Sequence, residues 1–138
     1  MLTSLEFRSD RFPAYPGEEE EINPDLWGRR LAEFICERLP REGFTTAVPI
    51  AEDWGYHIDV ANDGFGLWIA CGRYQEYPDG YLCSIEPHKP YIRRLFRRID
   101  TRERVEALRC ALDKILSADD GIRAKRWWTH DEIMNPGR

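Results

Sequence analysis

The sequence predicts an α+β fold: a single domain with an antiparallel β-sheet of about four to five strands and helices packed mainly on one face. Three observations carry this. The chain has 138 residues, of which 42% are apolar and 12% aromatic, the size and composition of one globular domain that hides roughly two thirds of its unfolded surface. Between Phe44 and Glu86, strand-like runs are separated by Asn62-Asp63-Gly64 and Pro78-Asp79-Gly80, residues that supply the backbone angles of hairpin turns. Apolar stripes at helical spacing flank this region on both sides. The chain divides into an N-terminal strand and acidic arm (1–22), one α+β domain (23–130) and a C-terminal tail (131–138), with no internal repeat.

Taken in order, Leu5 and Phe7 share a face in an alternating stretch over residues 2–8, which suits a short edge strand. Residues 9–22 hold Pro13, Pro16, Gly17 and the run Glu18-Glu19-Glu20-Glu21, a solvated arm by composition. Asn23 as N-cap, Pro24 at the first helical position and Asp25 near the positive end of the dipole start a helix. Its core stripe is Trp27, Leu31, Phe34, Ile35 and Leu39, and Pro40 and Gly43 stop it. Thr45 to Ile50 reads as a β-branched strand.

In the next strand Tyr56, Ile58 and Val60 share one face, and His57 and Asp59 the other. Phe65, Leu67, Ile69 and Cys71 line one face of its neighbour, with Trp68 and Ala70 opposite. A strand apolar on both sides belongs in the centre of a sheet, covered on both faces. Tyr81, Cys83 and Ile85 mark the return strand. After Pro87 and Pro90, the positions Tyr91, Ile92, Leu95, Phe96 and Ile99 match a short helix, with Arg93, Arg94, Arg97 and Arg98 on its other side. Asp100 and Glu103 resemble a capping box for a long helix that buries Val105, Leu108, Leu112, Ile115 and Leu116. A last strand spans Ile122 to Thr129, and the tail from Asp131 frays.

Several function classes recede on composition. The net charge is −5 and the pI near 5.3, against the basic balance expected of a nucleic-acid binder. No apolar run approaches the ~20 residues of a membrane span. Met1 to Arg8 has neither a basic n-region nor an apolar h-region, so a signal peptide is not expected. Cys36, Cys71, Cys83 and Cys110 form no Cys-x-x-Cys pair and read as reduced, mostly buried residues of a cytoplasmic protein. Neither they nor His57, His88 and His130 show metal-ligand spacing, so no metal and no cofactor is expected.

No stretch carries a specific catalytic motif, but five features stand out. Glu52-Asp53-Trp54-Gly55 joins two strands and reads as a turn, with Trp54 capping the core, or as a partner contact. His57 and Asp59, two residues apart on one strand face, form half of a triad without a nucleophile elbow. With Glu52 or Asp53 they would serve a small hydrolase or ligand-binding enzyme. Arg93 to Arg104 is the densest basic cluster, suited to carboxylate or phosphate. The loop Tyr74, Glu76, Tyr77 and Asp79 has the tyrosines and mixed charge of a recognition surface. Trp127-Trp128 needs cover on one side, from the N-terminal arm, a partner or a second copy in a homodimer.

Glu52-Asp53-Trp54-Gly55, followed by the apolar strand Leu67-Trp68-Ile69-Ala70, resembles small bacterial proteins of the toxin-neutralising immunity type. That resemblance implies a non-enzymatic, cytoplasmic inhibitor that binds a toxin or effector. An acidic binder would be steered to a basic target, with Glu52, Asp53, Trp54, Tyr74, Glu76, Tyr77 and Asp79 as contact residues.

Overall fold

The computed structural model describes residues 1–136. It is an α+β domain built on a six-stranded sheet, with a separate two-stranded hairpin. In chain order the elements are β1 (Leu2–Arg8), α1 (Glu18–Glu21), α2 (Arg29–Arg38) with a 3-10 turn over Leu39–Glu42, β2 (Ile50–Glu52), β3 (Gly55–Val60), β4 (Leu67–Arg73), β5 (Gly80–Glu86), β6 (Tyr91–Arg94), β7 (Arg97–Asp100), α3 (Arg102–Ser117), β8 (Arg123–Thr129) and α4 (His130–Met134). The large sheet runs β2-β3-β4-β5-β1-β8, and every neighbouring pair is antiparallel.

The meander β3-β4-β5 follows the alternation of its side chains. Tyr56, Ile58 and Val60, then Leu67, Ile69 and Cys71, then Tyr81, Cys83 and Ile85 are all buried on one face. Leu5 and Phe7 of β1 join them, as do Leu31 and Ile35 of α2 and Val105, Leu108, Leu112 and Leu116 of α3, in a single core. β4 is central, as its apolar pattern requires. Its outward side chains Trp68 and Ala70 are half-buried. Trp68 is shielded there by the His57 ring stacked 4.2 Å away and by Trp54 at 6.4 Å, not by a second layer of core.

Four expectations need correction. The N-terminal strand is not an edge: β1 is inserted between β5 and β8, with Ser4 opposite both Ser84 and Trp128. The acidic run is not a free arm, because it forms α1 and its first residue, Glu18, is buried. The Asn23-Pro24 start signal is not used by a helix. Asn23 instead donates its side-chain amide to the Asp53 carbonyl (2.6 Å), Asp25 takes a positive φ of 65°, and α2 begins at Arg29 behind Gly28. Finally, residues 91–99 are not helical but form the β6–β7 hairpin.

Smaller shifts accompany these. The strand expected over Thr45–Ile50 reduces to a lone bridge from Thr46 to Val60, and pairing proper starts at Ile50. α3 has Thr101, not Asp100, as its N-cap residue; the Thr101 hydroxyl donates to the Lys89 carbonyl, while Asp100 accepts the Arg102 backbone N–H. Asp131–Met134, expected to fray, belong to α4, which Thr129 and Glu132 close with a capping box. Gly137 and Arg138 of the same tail lie outside the described residues. Of the four free cysteines, Cys71 and Cys83 are buried, Cys36 is half-buried and Cys110 is exposed.

Trp127-Trp128 finds its cover within the chain. Trp127 donates its indole N–H to Asp113 of α3 (2.9 Å), and Trp128 donates to Glu6 of β1 (2.9 Å) with the Arg126 guanidinium over its ring. Asp113 also accepts from Lys125 (3.0 Å), so one carboxylate ties α3 to β8. Burial pushes the Asp113 carboxyl up, but the hydrogen bonds from Trp127 and Lys125 outweigh it and hold the group below its ordinary value. A carboxyl depressed in the fold stabilises above its unfolded-state pKa of about 3.9 and loses that contribution as pH falls through the folded value. Asp113→Asn is therefore expected to flatten the acid limb of stability against pH, as read from urea midpoints below about pH 5. Parallel acid limbs in the two proteins would refute this role.

Candidate docking hairpin

The sequence Ile92-Arg93-Arg94-Leu95-Phe96-Arg97-Arg98-Ile99 is a mirror image about Leu95-Phe96. The hairpin realises that symmetry. Ile92 pairs with Ile99, Arg93 with Arg98 and Arg94 with Arg97, leaving Leu95-Phe96 as the two-residue turn. Ile92 and Ile99 pack against the core and anchor the base. Beyond them the hairpin projects, and at its tip Leu95 and Phe96 are fully exposed, at 98% and 104% of their reference surface. Leu95 holds a positive φ of 53°, which a branched side chain adopts only at a cost.

The electrostatics of the hairpin are unresolved within the chain. Like charges directly opposite each other on paired strands are destabilising, and here two Arg–Arg pairs follow one another. Among the described residues no carboxylate forms an ion pair with Arg93, Arg94, Arg97 or Arg98. Arg98 lies over the Tyr91 ring at 3.7 Å. The nearest acid in sequence, Asp100, is taken by Arg102 at 2.6 Å, whose hydrogen bonds chiefly pull its carboxyl down to about 2. Two clefts flank the base, one of about 410 Å³ lined by Pro90, Tyr91, Arg98, Asp100 and Arg102, the other of about 680 Å³ lined by residues Lys89 to Arg93. Among the described residues neither β6 nor β7 pairs with any further strand, so both outer edges keep backbone groups free of a strand partner.

Comparison with family models, curated proteins and solved structures gave no match to this chain.

The other sequence-selected residues lie elsewhere. Glu52, Asp53 and Trp54 form the exposed turn between β2 and β3. Tyr74, Glu76, Tyr77 and Asp79 line the β4–β5 loop, but much of that loop is held internally. Asp79 bridges Arg8 (2.7 Å) and Arg123 (2.6 Å), whose hydrogen bonds hold its carboxyl below the usual range. The Arg8 guanidinium sits over the Tyr77 ring, and Arg73 donates to the carbonyls of Tyr77 and Pro78. Tyr74 is half-buried, and Glu76 and much of Tyr77 remain outward. His57 Nε2 meets Asp59 Oδ1 at 2.8 Å on the open sheet face. Its ring lies on Trp68, and no Ser or Cys side chain hydrogen-bonds to the pair among the described residues.

Two features were beyond the reach of spacing rules. Leu95 and Phe96 fit a buried helical stripe as well as a turn, and only the mirror symmetry around them points to the turn. Glu86, His88 and His130 bring one ligand atom each to within 4.8 Å of one another, although His130 is distant in sequence.

Proposed function

We propose that this chain is a non-enzymatic protein-binding module whose β6–β7 hairpin seats Leu95 and Phe96 in an apolar pocket rimmed by carboxylates on a partner protein. The observation that carries this reading is the pairing of a fully exposed apolar tip with four arginines that form no ion pair among the described residues. Burying the two tip side chains is worth roughly 1.5–3 kcal/mol each, and partner carboxylates would relieve the Arg–Arg repulsion through bidentate contacts. The free edges favour a protein over a lipid surface: a partner strand can satisfy their backbone groups, and hydrocarbon cannot.

An inhibitor of a toxin or effector, the role implied by the immunity-type resemblance, is one form of such a module. The charge of the hairpin reverses the expectation from net charge. The matched surface on the target is acidic, and the −5 of the whole chain conceals a local basic site.

The test is capture of partners from the host at moderate salt with the tagged protein, followed by titration of any stoichiometric partner. Phe96→Ser is expected to weaken binding at least tenfold with an unchanged melting temperature, because the side chain touches no core. Arg93→Glu with Arg98→Glu is expected to do the same. Full affinity in the Phe96→Ser protein would overturn the reading. Loss only on charge reversal, with competition by heparin, would move the assignment to a phosphate or nucleic-acid ligand. Loss on replacing Tyr74 and Tyr77 by Ala, with the hairpin variants intact, would return the interface to the β4–β5 loop.

A further inference from the structure

Across the sheet from the core, the end of β5 and the start of α4 converge. Glu86 is the last residue of β5, His88 follows it by two, and His130 is the first residue of α4. Both oxygens of Glu86 face His88 Nδ1, at 3.1 and 2.8 Å, and one of them also accepts the His88 backbone N–H at 3.0 Å. The His88 and His130 rings lie face to face, with centroids 3.6 Å apart and planes within 9°. All three side chains are half-buried. Glu86 and His88 are each about a quarter exposed, so the group is fixed on one side and open to solvent on the other.

We propose that Glu86, His88 and His130 bind one divalent first-row transition ion, with zinc as the ion of reference. The donor set decides the class. Two imidazoles and one carboxylate suit zinc and its neighbours, whereas calcium and magnesium require shells of oxygen. The three donor atoms lie within 4.8 Å of one another, and because bonds of about 2.0–2.2 Å to a shared ion hold two donors no more than about 4.4 Å apart, loading draws the side chains together. Parallel rings do not aim both lone pairs at one point, so loading turns at least one imidazole about its χ2, a broad torsion. The divalent charge also offsets the Glu86 carboxylate, whose hydrogen-bond partner among the described residues is His88. Three protein ligands leave at least one position for water or a partner's side chain.

The ligands come from either side of β1. β5 and β8 are its two neighbours, and α4 continues directly from β8. A bound ion therefore clips the sheet across its inserted strand, and loading stabilises the fold by mass action. This proposal does not depend on the hairpin as the docking site, since none of the three ligands lies on β6 or β7.

The experiment is calorimetric titration of zinc chloride into chelator-treated protein, with thermal melts and a cobalt(II) spectrum in parallel. One ion per chain is expected, with a rise in melting temperature and a cobalt spectrum lacking thiolate charge-transfer bands. His130→Ala and Glu86→Gln are each expected to weaken affinity at least about tenfold and to abolish the thermal shift. His57→Ala and Cys110→Ser, at the other histidine–carboxylate pair and the exposed thiol, are expected to bind as the parent does. The absence of stoichiometric binding would overturn the proposal. So would equal affinity in the His130→Ala protein, or loss in the His57→Ala or Cys110→Ser protein alone. The apo proteins' melting temperatures separate a lost ligand from a lost fold.

Discussion

Glu18→Ala is expected to cost about 3 kcal/mol, from the loss of a charged cap and of the acceptor for three backbone donors, one of them buried. Glu18 is 2% exposed, rare for a carboxylate unless its hydrogen bonds are made. One of its oxygens accepts the backbone N–H groups of Gly28 (2.8 Å) and Arg29 (2.9 Å), and the other accepts that of Tyr15 (2.9 Å). Gly28 has no side chain with which to cap α2. The cap is thus supplied from ten residues upstream, with its negative charge at the positive end of the helix dipole. Alanine leaves the Gly28 N–H without a partner in a buried site and those of Tyr15 and Arg29 without one in a part-buried site. Glu18→Gln keeps an acceptor and the volume, and its cost should be smaller. Urea unfolding checks both, and the alanine protein should melt roughly 10 °C lower. A loss below about 1 kcal/mol for alanine would mean that water replaces the carboxylate.

Gly55→Ala is expected to cost roughly 4 kcal/mol, combining backbone strain with a collision. Gly55 opens β3 at a φ of 149°, and a Cβ there would stand 2.5 Å from the Cys71 carbonyl oxygen. Gly72 lies against it, since a Cβ on Gly72 would meet the Gly55 Cα at 3.4 Å. A Cβ on Gly28 would reach the Gly72 Cα at 2.9 Å. Three glycines therefore stack where the entry to α2 and the β2–β3 turn press on β4. The Arg73 N–H bonds to the Trp27 carbonyl at 3.0 Å in the same place. Gly28→Ala, extended at a φ of 166°, meets only the steric part and should cost less than Gly55→Ala. Equal urea midpoints for Gly55→Ala and the parent would show that β4 yields at this point.

What was legible in the sequence follows from the range of the forces involved. The β3-β4-β5 meander is written locally, in side chains alternating with period two and in turn residues at the correct gaps. The core stripe of α3 is equally local: all five of its predicted residues are buried. The 91–99 segment was misread because its apolar residues fit a helical period, while its cross-strand arginine pairs break the rule by which strands are recognised. On the proposed function, that breach of a stability rule is the mark of the docking surface. Glu18 could not be singled out among four consecutive glutamates, since burial is decided by a helix end that the local sequence does not specify. The convergence of Glu86, His88 and His130 likewise depends on strand order, which no spacing rule supplies. Asn23-Pro24 gave a sound capping signal, but the long-range bond from Asn23 to Asp53 and the bend at Asp25 took precedence over local propensity.

The insertion of β1 between β5 and β8 has a temporal side. Glu6 and Trp128, joined by a hydrogen bond across the sheet, are 122 positions apart. A ribosome adding about 5–20 residues per second separates their emergence by about 6–24 s. During that interval β1 can pair with β5 but keeps its other edge, the one β8 will cover, open to any passing strand. A chaperone on β1 thus has the most to shield. A circular permutant that places β1 directly after β8 would synthesise the two partners back to back and remove the wait.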